Sequence, residues 1–215
     1  MLKISTLLRL SLMFLIPAFV SSCMATAKAP NPIYYYTLDY EAPTFEPAHQ
    51  LPCVLRVERF SATPPFNSQR IIYAHSELQR NSYAYHQWIA PPAELLPYFL
   101  ARDLRQSNGF EAVLAPDATI APTHSLYGWV EQFLEQDGSP EWKASAVIQV
   151  TLISNLIHDP TQKILLQKRY AAATPFKTKT PEALARAMSQ AVSNISRELE
   201  RDIYNRLTTV EPLKY

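Results

Sequence analysis

The five histidines of this 215-residue chain, His49, His75, His86, His124 and His158, are its natural metal ligands and proton carriers, and they are scattered. No two stand three or four residues apart, the spacing that puts a ligand pair on one helix face. His75 and His86 fall on two adjacent predicted strands and could face each other across a hairpin. The plainer reading is two strand-surface histidines. Nucleophilic chemistry finds no frame either: the chain has no Gly-x-Ser-x-Gly elbow and no His-Glu-x-x-His pair. Only three glycines occur, Gly109, Gly128 and Gly138, so no glycine-rich loop precedes a helix to cradle phosphate. These spacings exclude a P-loop ATPase and a dinucleotide-binding enzyme. They nominate no catalytic residue, no metal site and no cofactor.

Cys23 is the one residue whose setting points to a definite chemistry. It closes the run Val20-Ser21-Ser22-Cys23. Before it, Lys3 and Arg9 lie in a basic n-region and Leu10 to Val20 is mostly apolar, with small residues at the cut. The apolar stretch is too short to span a bilayer, which takes about 20 residues, and Pro17 interrupts it. The layout is that of a bacterial lipobox, in which the cysteine becomes the mature N-terminus and carries lipid. Residues 1–22 then form a lipoprotein signal peptide, leaving 215 − 22 = 193 residues. A diacylglycerol and an N-acyl chain together satisfy the need of stable anchoring for more than one chain. Cys53, with Cys23 lipidated, has no partner for a disulfide within the chain and reads as a small buried residue in a strand.

Composition narrows the class further. Hydrophobic residues make up 47% and charged residues 18%, enough for one ordinary core. The net charge of +1 and the absence of any long basic run argue against a nucleic-acid partner. Residues 23–32, the lipidated Cys and a small, polar, proline-containing tether, join the lipid to a single α+β periplasmic domain over residues 33–210.

Within that domain, Tyr34 to Leu38 and Cys53 to Phe60 read as strands. Arg70 to Ser76 and Tyr83 to Ile89 form a predicted hairpin, and Pro64-Pro65-Phe66 a loop. Period 2 puts Tyr83, Tyr85 and Gln87 on one face and Ala84, His86 and Trp88 on the other. Leu95, Leu96, Phe99, Leu100 and Leu104 recur at helical spacing, with Pro97 in the first turn and Asn108-Gly109 as the stop. After a short strand, Phe110 to Leu114, an antiparallel meander runs through Ser125–Gln136, Trp142–Ile157 and Lys163–Ala172. In its first strand Leu126, Gly128 and Val130 oppose Tyr127, Trp129 and Phe133. Thr180-Pro181-Glu182 opens a long last helix striped by Leu184, Met188, Val192, Ile195, Leu199 and Ile203. The fold class is α+β: an antiparallel or mixed sheet, one mid-chain helix, and a long C-terminal helix packed on one face. The cluster of Tyr34, Tyr35, Tyr36, Tyr73, Tyr83, Tyr85 and Trp88 reads as sheet packing or as a surface for lipid or a partner.

The order of these features resembles one family. Tyr34-Tyr35-Tyr36-Thr37-Leu38 is similar to its opening. Arg70-Ile71-Ile72-Tyr73, then Tyr83, then Gln87-Trp88-Ile89-Ala90-Pro91 before a leucine-rich helix is similar to its central signature. Leu126 to Phe133 and the final helix from Ala183-Leu184 complete the series. The family is that of ABC-type transport auxiliary lipoproteins. The resemblance implies a non-catalytic, membrane-anchored component of a lipid or hydrophobic-compound transport system. It implies partnership with an MCE-domain protein and with an inner-membrane ABC permease and ATPase. It also implies a place on the periplasmic side of the outer membrane, consistent with Met24 rather than Asp after Cys23. The alternative is a structural envelope lipoprotein assisting assembly of an outer-membrane complex. An exposed aromatic patch would favour self-association as a homo-oligomer. The family supplies no ligand-binding residue to carry over, so Cys23 alone is assigned, as anchor.

Replacing Cys23 with Ser is expected to move the protein from the membrane to the soluble fraction. Membrane retention of Cys23→Ser after fractionation would refute the anchor.

Overall fold

The strand at the centre of the sheet is thirteen residues long and uses both of its edges, and the rest of the domain is arranged along it. The structure is a computed structural model that describes residues 30–138 and 141–210; Cys23 and the signal segment lie outside these residues. The elements run β1 (Tyr34–Tyr36), β2 (Leu51–Val57), β3 (Ser61–Ala62), a 3₁₀ turn (Pro64–Phe66), β4 (Arg70–Ala74) and β5 (Arg80–Trp88). They continue with α1 (Pro92–Gln106), β6 (Phe110–Leu114), β7 (His124–Gln136), β8 (Trp142–Ser154), α2 (Pro160–Lys163), β9 (Ile164–Phe176) and α3 (Pro181–Val210). The α+β expectation holds.

One edge of β7 pairs antiparallel with β8 along its whole length, from His124↔Ser154 to Gln136↔Lys143. β9 extends the meander beyond β8. The other edge is shared by three parallel segments in succession: β2 beside His124–Leu126, β3 beside Trp129 and Val130, and β4 beside Leu134–Gln136. β6 adds in parallel to β2, β5 antiparallel to β4, and β1 in parallel to β5. A parallel neighbour needs a long crossover, and α1 lies in the stretch of chain between the parallel neighbours β2 and β6.

The core lies between the sheet and α3. On β8, Ala144, Ala146, Ile148, Val150 and Leu152 are all fully buried, as are Leu184, Met188, Val192, Leu199 and Ile203 on the helix. Each buried Leu- or Ile-sized side chain contributes about 1.5–3 kcal/mol. Alanines on the strand let the helix approach closely. The cap is as expected: the Thr180 hydroxyl accepts from the Ala183 amide at 3.2 Å, and Pro181 takes the first helical position.

Several local expectations are corrected. Pro64–Phe66 is a 3₁₀ turn rather than an irregular loop. Pro97 sits in the second turn of α1, because the helix already starts at Pro92; its missing N–H leaves the Ala93 carbonyl without its helical donor. The left-handed residue ending α1 is Asn108 (φ 56°), not Gly109; Asn tolerates this region better than other residues with a Cβ. Phe133 is buried on the Leu126 face, opposite to Tyr127 and Trp129. The register slips between Val130↔Ile148 and Gln132↔Val147, so Glu131 is an extra residue and the alternation changes phase there.

Gly128 makes the closest approach in the sheet. The register Ser61↔Trp129 brings Phe60 over it, and a Cβ at Gly128 would lie 2.3 Å from the Phe60 ring. Gly128→Ala is therefore expected to destabilise by about 1–3 kcal/mol through overpacking, read as a lower midpoint in urea. Adding Phe60→Leu should recover part of the loss. A Gly128→Ala protein as stable as the parent would contradict this contact.

Candidate functional site

The short strand β1 brings Tyr34 into register with His86 and Tyr36 into register with Trp88. The Tyr34 ring stacks on His86 at 5.4 Å, with Tyr36 at 5.7 Å and Tyr83 at 6.0 Å from the same imidazole. Tyr73 continues the series at 5.2 Å from Tyr83 and 5.0 Å from His75. This ladder contradicts the period-2 assignment that put Tyr83 and His86 on opposite faces. Between Arg70↔Gln87 and Ile72↔Ser82 the β5 strand accommodates extra residues, and the bulge turns both rings to one side. The same register separates His75 from His86: the first lies at the turn end of the hairpin, the second near its open end.

Three carboxylates close the ladder. Tyr36 donates its hydroxyl to Glu182 Oε1 at 3.0 Å, so its oxygen accepts from His86 Nδ1 at 2.9 Å, which places the imidazole proton on Nδ1. Burial, reinforced by Glu182, pushes the Tyr36 phenol up to about 12. The backbone amide of the first helical turn, with Tyr36, holds Glu182 below the usual carboxylate range. Farther along, Tyr83 donates to the buried Glu135 at 2.7 Å, and burial raises the Glu135 carboxyl. Asp137 receives hydrogen bonds from Lys179 (2.6 Å) and Trp142 Nε1 (2.7 Å), with His75 Nδ1 at 2.5 Å; Lys179 holds its carboxyl down. These contacts tie the hairpin to the end of β7 and to the segment entering α3. Among the described residues no group of three or more His, Cys, Asp or Glu is arranged to hold a metal ion.

Next to this ladder, Ile33, Tyr34, Tyr35, Tyr85 and Ile89 are each about half exposed. They flank β1, where the predicted tether enters the domain. Tyr127 and Trp129 are equally exposed on the sheet face opposite α3.

A groove of about 540 Å³ runs beside α1, with Pro97, Tyr98, Arg102 and Arg105 on one wall and Arg59 and Phe60 on the other. Arg102 lies over the rings of Tyr40 (4.5 Å) and Phe99 (4.8 Å) and donates two hydrogen bonds to Asp103 Oδ1. Arg59 pairs with Asp117 at 2.7 Å. Arg105 donates to the Val113 carbonyl.

Beneath α1, Asp103 accepts from Tyr40 (2.8 Å) and from Ser196 of α3 (2.6 Å). Glu200, one turn farther along α3, is fully buried, and among the described residues neither carboxyl oxygen has a hydrogen-bond partner. Burial pushes its carboxyl up to about 7, and nearby Asp103 adds to the shift. Cys53 is buried in β2 as expected, with its sulfur 3.2 Å from Nδ1 of the equally buried His124. Sequence reasoning missed the groove, Glu200 and the Cys53–His124 contact. The one legible signal was a Glu on the apolar side of the last helix. Cys23, the assigned lipidation residue, lies outside the described residues.

A family model described as the ABC-type transport auxiliary lipoprotein component matches residues 36–200. The fold is similar to that of a Xanthomonas campestris protein, at a TM-score of 0.71 and 20% identity over 84% of this chain and 99% of that one. A second crystal structure, of an uncharacterised protein, is similar at a TM-score of 0.63 and 15% identity over 80% of this chain and 99% of the other. No curated protein matches the sequence.

The buried acid makes stability depend on pH in a defined direction. As pH rises from about 4.5 to about 7, the folded chain holds on to the Glu200 proton that the unfolded chain releases, so stability is lost across that window. Relative to wild type, Glu200→Gln is expected to match below about pH 4.5 and to be more stable at pH 8, by about 3 kcal/mol at roughly 1.4 kcal/mol per pKa unit. Urea melts of both proteins at the two pH values check this; a constant difference between them would refute it.

Proposed function

The chain belongs to the ABC-type transport auxiliary lipoprotein family, and on that premise we propose that it is the anchored accessory component of an MCE/ABC-type intermembrane transport system for lipid or another hydrophobic compound. The observation that carries this reading is the extent of the family match, which starts within β1 and ends inside α3. It therefore takes in the sheet from β2 to β9, α1 and most of the packed helix.

In this reading Cys23 carries the lipid and holds the domain, residues 33–210, on the periplasmic side of the outer membrane. The tether over residues 24–32 reaches at most about 30 Å, at roughly 3.3–3.6 Å per residue. Anchoring so close raises the local concentration of the domain at its partner without any new contact. The domain then acts by position, as a docking or binding component and not as a catalyst. Its partners are an MCE-domain protein and the inner-membrane permease and ATPase. The exposed Tyr34, Tyr35 and Tyr85 beside the tether support a docking role, since aromatic residues are enriched where proteins meet.

Affinity purification of the full-length lipoprotein from gently solubilised envelopes, with crosslinking and mass spectrometry, tests the reading. Recovery of an MCE-domain protein with an ABC permease or ATPase is expected. Recovery of outer-membrane assembly factors, with no transport component, would overturn it.

A further inference from the structure

We propose that the groove beside α1 binds a phosphate-bearing amphiphile, with the anionic group held by Arg105 and its neighbours and the apolar part laid along Pro97, Tyr98 and Phe60. The charge balance is the starting point. Of the three arginines lining the groove, Arg102 is neutralised by buried Asp103, and Arg59 by Asp117. Arg105 forms no ion pair with any described residue; its guanidinium donates only to the neutral Val113 carbonyl, through Nε and Nη2. That contact fixes the direction of the fork and leaves other N–H donors for an anion. A guanidinium is planar and binds phosphate oxygens two at a time, which a lysine cannot do.

The remaining arginines shape the site around that charge. Arg102 is held between two aromatic rings and Asp103, so it adds donors on a fixed wall. The Arg59–Asp117 pair is about four-fifths exposed on both sides. Such a pair is worth little and opens cheaply when an anion arrives. Glu94, also on the wall, opposes the anion and favours a ligand carrying one phosphate over a more highly charged one.

The apolar half points to an amphiphile instead of a free ion. Tyr98 is 69% exposed beside Pro97 and Ala101, with Phe60 across the groove. The volume of about 540 Å³ lies within the roughly 300–1,000 Å³ of small-molecule sites. An inorganic phosphate would fill only a fraction of it. This inference goes beyond the docking role and does not depend on which partners are recovered.

The test titrates full-length protein, in a non-ionic alkyl-maltoside detergent that carries no phosphate, with dihexanoyl phosphatidylglycerol and separately with inorganic phosphate. Saturable binding of the lipid is expected, at least tenfold tighter than that of inorganic phosphate. Arg105→Gln should weaken it tenfold or more, and Tyr98→Asp, at a largely exposed position, should weaken it similarly with the melting temperature little altered. Equal binding of lipid and inorganic phosphate would overturn the amphiphile, and unchanged affinity in both variants would overturn the site. Lipid binding without any transport component in the purification would sink the docking role alone; the converse would sink the groove alone.

Discussion

The backbone of β7 is the constraint from which the rest of the domain takes its position. A buried strand must pair its N–H and C=O groups on both edges. β8 satisfies one edge over its full length, and β2, β3 and β4 divide the other among them. Because those three short strands follow one another along β7 in its own direction, the chain runs onward between them and travels back across the domain only after β4. The Arg59–Phe60 corner steps the chain from β2 to β3, and the β4–β5 hairpin and α1 make the return to β6. Gly128 is where the arrangement is tightest, since the β3 register puts an aromatic ring where a side chain would stand.

The inner face of this sheet is not purely apolar. Glu135 at the end of β7, Asp103 on α1 and Glu200 on α3 are all buried. A buried carboxylate is costly unless hydrogen-bonded, and the three meet that cost differently. Asp103 accepts from Tyr40, Ser196 and Arg102. Glu135 has Tyr83 on one oxygen and Lys179 4.0 Å from the other. Among the described residues neither Glu200 oxygen has a hydrogen-bond partner, and burial shifts its carboxyl toward the neutral form. The contact between α1 and α3 thus rests on one fully satisfied acid and one kept near neutrality.

Two of the exposed features are candidate contact sites. The tyrosines around β1 lie at the N-terminal edge of the sheet and suit contact with a partner. The arginine-lined groove lies beside α1 and is shaped for a small anionic ligand.

The sequence by itself determined what is local. Hydrophobic period 3.6 marked both longer helices and the buried stripe of α3, period 2 marked the meander, and turn residues marked its corners. The run ending at Cys23, read as a lipobox, is a local pattern too, and it lies outside the described residues. The aromatic cluster was legible as a group, but its geometry was not. Two bulges, at Glu131 and within β5, reverse the alternation and move Phe133, Tyr83 and His86 to faces that strict period 2 denies them. Only the tertiary structure decided the parallel pairing along β7 and the partners of the polar side chains. Tyr36 meets Glu182 and Tyr204 meets His49 across 146 and 155 residues. The groove was invisible for the same reason: its walls come from α1, the β3 corner and the loop after β6. Periodicity reports which way a side chain points along its own element. Which other element lies opposite is set by packing and by the pairing of backbone groups, and no local pattern encodes it.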